Sequence, residues 1–80
     1  PTHILVIPRK HIETLNDVTE SDAGLMSGLF LVCQKVAKQE NLSERGYRVV
    51  MNCNKDGGQA VYHIHAHELG GRSLNRSATL

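Results

Sequence analysis

Three histidines alternate with apolar residues in Tyr62-His63-Ile64-His65-Ala66-His67-Glu68-Leu69. If this stretch is extended, the period of two puts His63, His65 and His67 on one face with Val61 and Leu69, and Tyr62, Ile64, Ala66 and Glu68 on the other. A lone histidine on such a face is usually a hydrogen-bonded structural residue, but a row of imidazoles is hard to attribute to packing. The central ring of a row can attack phosphorus while a neighbour donates a proton to the leaving group. The attacking nitrogen must be unprotonated. A backbone carbonyl accepting a hydrogen bond from the other ring nitrogen would fix that tautomer, and an ordinary imidazole pKa of about 6.5 leaves most of the ring neutral at cytoplasmic pH.

Metal binding is the rival chemistry, because neutral imidazoles at i and i+2 can chelate one zinc ion. At a rise of about 3.3 Å per residue the outer pair of the row lies about 13 Å apart, so one ion recruits all three rings only if the strand bends. Cys33 and Cys53 are not in a zinc-like spacing, and folding would have to bring His3 or His11 close to complete a site. The loop just before the row, Asp56-Gly57-Gly58-Gln59, has the composition of an anion-binding nest, in which successive backbone N–H groups converge on one point. The same residues also suit a plain Asp-Gly turn. Next to the histidines, a phosphate site is the reading preferred here.

The elements that must hold these residues follow from the rest of the pattern. His3 to Ile7 reads as a strand ending at Pro8, and Arg9 to Val18 as irregular chain with one helical turn. Thr19-Glu20-Ser21-Asp22 resembles a capping box. After it, Leu25, Leu29, Val32 and Val36 recur at helical spacing beside Met26, Phe30, Cys33 and Ala37, which predicts an amphipathic helix of about four to five turns. Its stripe is wide enough to predict packing on a sheet and on a second element, with Met26 and Phe30 as plain core. Gly46 to Asn52 reads as a half-buried strand, with Tyr47, Val49 and Met51 on one face and Arg48, Val50 and Asn52 on the other. Val61 to Leu69 is the next strand, and the Cys53–Ala60 loop is longer than a hairpin turn requires.

The chain has 80 residues, 40% of them apolar, which suits one domain over residues 1–80 with a small core that gains stability from a partner subunit. No internal repeat or low-complexity tract divides it. Nine Lys and Arg against eight Asp and Glu give a formal charge of +1, without the basic excess that nucleic-acid backbones require. No apolar run suggests a signal or membrane span, and the two cysteines form no C-x-x-C pair, so a reduced cytoplasmic setting is expected. The chain opens at Pro1 on residues that already read as strand interior, which leads us to expect a missing upstream segment of the domain.

Taken together, His63-Ile64-His65-Ala66-His67-Glu68-Leu69 resembles the signature of the histidine triad (HIT) family. The likeness extends through Pro1 to Pro8, Gly46-Tyr47-Arg48, Asn52, Asp56-Gly57-Gly58-Gln59, Val61-Tyr62 and Gly70-Gly71-Arg72. Within the family it is nearest the nucleoside phosphoramidase branch of nucleotide-binding proteins. Nucleotidyltransferases of the superfamily carry glutamine where His67 stands, and the dinucleoside polyphosphate hydrolases, which remain the alternative, usually follow the triad with Pro-Arg.

The resemblance implies an α+β, HIT-like fold: a twisted antiparallel sheet with one long helix, paired into a homodimer that shares one continuous sheet. It implies His65 as the nucleophile that becomes transiently nucleotidylated. His67 contacts the phosphate and assists the leaving group, while His63 and His3 support the cluster. Asn52, Gly58, Gln59 and position 60 fall where the family holds the α-phosphate or ribose. The implied substrate is a purine nucleotide or nucleoside phosphoramidate, such as adenylated lysine, hydrolysed without a metal or other cofactor. Two departures stand out. Ala60 replaces a serine common in the branch, and Glu68 occupies an apolar position of the signature, where a carboxylate is not expected to be fully buried and unpaired. Readings of another class are a zinc-binding module using the histidine cluster and a catalytically idle interaction dimer.

Overall fold

The computed structural model describes residues 2–74. Strand β1 (Thr2–Val6) leads through two single 3-10 turns, Leu15–Asp17 and Glu20–Asp22, into helix α1 (Ala23–Gln39). Strands β2 (Arg48–Val50) and β3 (Ala66–Gly70) complete a sheet of order β1-β3-β2, with β3 central and antiparallel to both neighbours.

Short polar residues set the path from β1 to the helix. Thr14 donates from its N–H and its hydroxyl to Asp17 at 3.1 and 2.9 Å, and Thr19 does the same to Asp22 at 3.0 and 3.2 Å. Each turn is thereby capped through its own side chains. Lys10 donates to Asp22, whose carboxyl is held below its usual range first by this bond and then by the Thr19 N–H. The helix ends in a Schellman motif: Asn41 takes a left-handed φ of 59°, and the Leu42 and Asn41 N–H groups reach the Ala37 and Lys38 carbonyls at 2.8 and 3.2 Å. Leu42 is thus turned into the core over Gly70, where an added Cβ would stand 3.0 Å from the leucine methyls.

Register divides the sheet into two faces. Leu5 and Val50 flank His67, and His3 and Arg48 flank Leu69; one step along, Ile4 and Val49 flank Glu68 on the helix side. Leu29 and Cys33 of α1 pack on Ala66, with Val6, Val49 and Met51 around them. Ile64 is 1% exposed and Ala66 and Glu68 are fully buried, so the helix side of β3 is sealed.

Four expectations are corrected. The strand read as Val61–Leu69 pairs only from Ala66, because β1 stops at Val6 and β2 at Val50 and among the described residues no strand runs beside residues 61–65. Ile64 instead donates its N–H to the Ile12 carbonyl at 2.8 Å. The helix buries one line, Leu29, Cys33 and Ala37, rather than a wide stripe. Phe30 is 54% exposed instead of core and Met26 is half-buried, since among the described residues no second element covers that flank. Finally, Glu68 is fully buried, and neither carboxyl oxygen has a hydrogen-bond partner among the described residues. Strand register fixes it between Ile4 and Val49 whatever its polarity. Burial pushes its carboxyl up toward the neutral acid, as it does the nearby Cys33 thiol, which Glu68's charge raises further.

Candidate active site

The histidines stand where β3 leaves the sheet, and each ring is held differently. His67 is on the strand itself, between Leu5 and Val50 of the flanking strands. Its Nδ1 lies 2.9 Å from His3 Nε2, one donating to the other across β1 and β3. Burial, then the nearby His65 and His3, lower the His67 pKa, so this ring is a neutral imidazole at neutral pH.

His65 lies just before the ladder. Its Nδ1 is 2.8 Å from the His63 carbonyl, which can only accept, so Nδ1 carries a proton, and of the two neutral tautomers this bond selects the one with its lone pair on Nε2. The ring meets His67 edge to face, with centroids 4.8 Å apart. The tautomer-fixing bond that a histidine nucleophile requires is therefore supplied by the backbone two residues upstream.

His63 is turned away from this pair. Its Nε2 donates to the Pro8 carbonyl at 2.9 Å, and its Nδ1 faces His11 Nδ1 at 3.3 Å. The row expected from strand alternation is thus two groups, His3–His67–His65 and His11–His63. Sequence alone suggests His11 only as a possible metal ligand. It lies 52 residues from His63 along the chain, and spacing carries no signal of their contact. Among the described residues, no group of three or more His, Cys, Asp or Glu side chains is arranged to hold a metal ion.

A cavity of about 640 Å³ opens beside His65 and His67, walled by Leu5, Val50 and Val61 and by the loop from Asn52 to Ala60. It combines apolar walls with a few polar groups, the usual make-up of a small-molecule site. The loop does not form the expected nest. The Gly58 N–H donates to Lys55 O at 3.0 Å and the Gln59 N–H to Asn54 O at 2.9 Å, so both close the turn instead of converging on a ligand.

The side chain of Gln59, expected among the phosphate contacts, is buried and fully engaged. It accepts from the Asn54 N–H at 2.8 Å and donates to the Glu13 and Val61 carbonyls at 2.7 and 3.0 Å. No amide hydrogen is left for a ligand; Gln59 pins the loop to the Glu13 backbone and to the Val61 backbone that follows. Asn52 donates to the Gly57 carbonyl at 2.7 Å, which holds its side chain at the cavity wall. Gly58, at a φ of +81°, gives the loop a left-handed turn with no side chain over the cavity. Ala60 lines the same wall with only a methyl group.

Comparison with known proteins places this geometry. Residues 1–74 match the HIT domain family model. A protein of Escherichia coli (strain K12) named purine nucleoside phosphoramidase is 51% identical over 74 residues, which is 92% of this chain and 62% of that protein; the chain thus spans less than two thirds of this relative's length. The crystal structure of a HIT family hydrolase from Legionella pneumophila superposes with a TM-score of 0.94 at 52% identity, covering 96% of this chain and 69% of that one. A histidine triad protein from Clostridium difficile superposes with a TM-score of 0.91 at 40% identity, covering 98% and 68%. On the match of residues 1–74 to the family model and the likeness to these structures, the chain belongs to the HIT domain family.

Proposed function

We propose that this chain is a nucleotide hydrolase of the purine nucleoside phosphoramidase type, acting at the α-phosphorus through a nucleotidyl-histidine. The observation that carries the reading is the His65 Nδ1–H bond to the His63 carbonyl, beside a cavity shared with His67. It leaves a neutral imidazole lone pair as the nucleophile. The name of the Escherichia coli relative supports the substrate class.

In the first half-reaction His65 Nε2 attacks phosphorus and the P–N bond to the amine breaks. His67 assists the departure: with its Nδ1 accepting from His3, the one N–H of its neutral ring hydrogen-bonds to the bridging nitrogen, and the amine takes its proton from solvent water. In the second half-reaction water attacks phosphorus and gives its proton to solvent, and His65 leaves with its lone pair restored. Phosphate oxygens are held from the His67, Asn52 and Ala60 side of the cavity, with Gly58 allowing close approach, while Leu5, Val50 and Val61 form the apolar wall for the nucleoside. No metal or cofactor takes part in these steps.

The chain works as a homodimer in this reading. Phe30, Leu31 and Val32 leave an apolar face on α1 that among the described residues has no cover, and a second subunit would bury it. Among the described residues no helix is long and apolar enough to cross a membrane, and the unpaired Cys33 and Cys53 suit a reducing compartment such as the cytoplasm. The test is release of AMP from an adenosine phosphoramidate without added metal. Turnover that zinc chelation leaves intact is the expected result; strict zinc dependence, or no turnover of any nucleoside phosphoramidate, would contradict the proposal.

A further inference from the structure

We infer that His11 is a positioning residue of this site, acting through His63 to hold His65 in its nucleophilic tautomer. The inference rests on the functional reading above only for its kinetic consequence; the geometry stands apart from it. His63 Nε2 must carry a proton, because its partner, the Pro8 carbonyl, can only accept. In the neutral ring His63 Nδ1 is then an acceptor, so the atom facing it, His11 Nδ1, must be the donor. Both nitrogens of His63 are consumed inside the protein, leaving it none with which to touch a substrate. Its backbone carbonyl, in contrast, holds the Nδ1–H of His65 at 2.8 Å.

The segment from Pro8 to Ile12 therefore grips the turn before β3 at three points: Pro8 O on the His63 ring, His11 Nδ1 on the same ring, and Ile12 O on the Ile64 N–H at 2.8 Å. The His11 and His63 rings meet edge to face with centroids 4.9 Å apart, so His11 also blocks rotation of His63 away from Pro8. Without His11, the His63 ring has an open Nδ1 and can exchange tautomer and rotamer. The peptide that fixes His65 then loses one of its anchors. Lys10, Glu13, Asp17 and Asp22 share the cleft with His11; Lys10 is committed to Asp22 and Asp17 to Thr14. Neither ion-pair nor cap replaces the His11 donor.

The test compares His11→Leu, which removes the donor, with His11→Asn, whose side-chain N–H falls where Nδ1–H stood. Two readouts are taken on the full chain: imidazole ¹⁵N NMR without nucleotide, which reports the His63 and His65 tautomers, and steady-state kinetics on an adenosine phosphoramidate. The parent should show Nε2–H at His63 and Nδ1–H at His65. His11→Leu should mix the His63 tautomers and lower kcat on the order of tenfold with KM changed less than about twofold, and His11→Asn should restore both. Unchanged tautomers in His11→Leu, or a kcat loss that His11→Asn does not rescue, overturns the positioning role. If the parent hydrolyses no phosphoramidate yet its tautomers respond as described, the functional reading falls and the positioning role stands.

Discussion

The two faces of the segment ending in β3 are built from alternate residues of one short stretch, yet they obey opposite rules. On one side Ile64, Ala66 and Glu68 are buried, and there a carboxyl is tolerated with no hydrogen-bond partner among the described residues. On the other, His63, His65 and His67 remain partly exposed, and each ring has a partner: Pro8 and His11, the His63 carbonyl, and His3. Burial is what the first face supplies and orientation is what the second requires. A change on the sealed face should therefore alter stability with modest effect on chemistry, and a change on the open face should do the reverse.

The largest separation is expected at His65→Ala. A covalent route without its nucleophile has no substitute, so turnover of an adenosine phosphoramidate should fall at least about a hundredfold, while the thermal midpoint stays near that of the parent. His67→Ala should be milder, because water can partly replace its N–H as a hydrogen-bond donor. Activity and melting measured on the same preparations check both.

Ile64→Ala is the mirror image. At 1% exposure, the lost methyl and methylene groups and the cavity left behind should destabilise the fold by about 2–5 kcal/mol in urea titrations. A loss below about 0.5 kcal/mol would mean that the packing of this face is misassigned.

Glu68 should behave in the opposite sense, since Glu68→Leu removes an unpaired buried carboxyl and should stabilise by about 1–3 kcal/mol at neutral pH. Its folded pKa is raised above the unfolded value near 4.5. Stability from this group is therefore complete below pH 4.5 and declines as pH climbs through the folded value. Urea unfolding from acid to mildly alkaline pH should show that decline in the parent and a flatter profile in Glu68→Leu and Glu68→Gln. A parent profile identical to both variants would mean that the carboxyl finds a partner.

The smallest effect is expected at Ala60→Ser, where one added hydroxyl at the cavity wall should improve transition-state binding by about 0.5–1.5 kcal/mol, read as a rise in kcat/KM of less than about fifteenfold.

Why some of this was readable in sequence and some was not comes down to range. The alternation of Ile64, Ala66 and Glu68 with the histidines is a local property of an extended chain, and it separated the buried face from the one that carries His65 and His67. The helix was visible for the same reason, from its apolar spacing and the Thr19–Asp22 cap. What failed depends on partners distant in sequence. Strand pairing ends where β1 and β2 end, so His63 turns off the row and toward His11. Polarity argued against a fully buried, unpaired Glu68, but register places it under the helix regardless. The Asp56–Gln59 loop had the composition of a nest, yet the Lys55 and Asn54 carbonyls take the Gly58 and Gln59 N–H groups. The exposed Phe30 shows the same limit: periodicity reveals an apolar face without saying what covers it.

The central claim is that His65, and neither neighbouring histidine, forms the bond to phosphorus. The protein should be mixed with an adenosine phosphoramidate, quenched in acid-free denaturant during steady-state turnover, digested, and the peptides mapped for an added nucleotidyl mass. The account predicts modification at His65 alone, absent from the His65→Ala protein. Modification mapped to His63 or His67, or full turnover by His65→Ala, would contradict it.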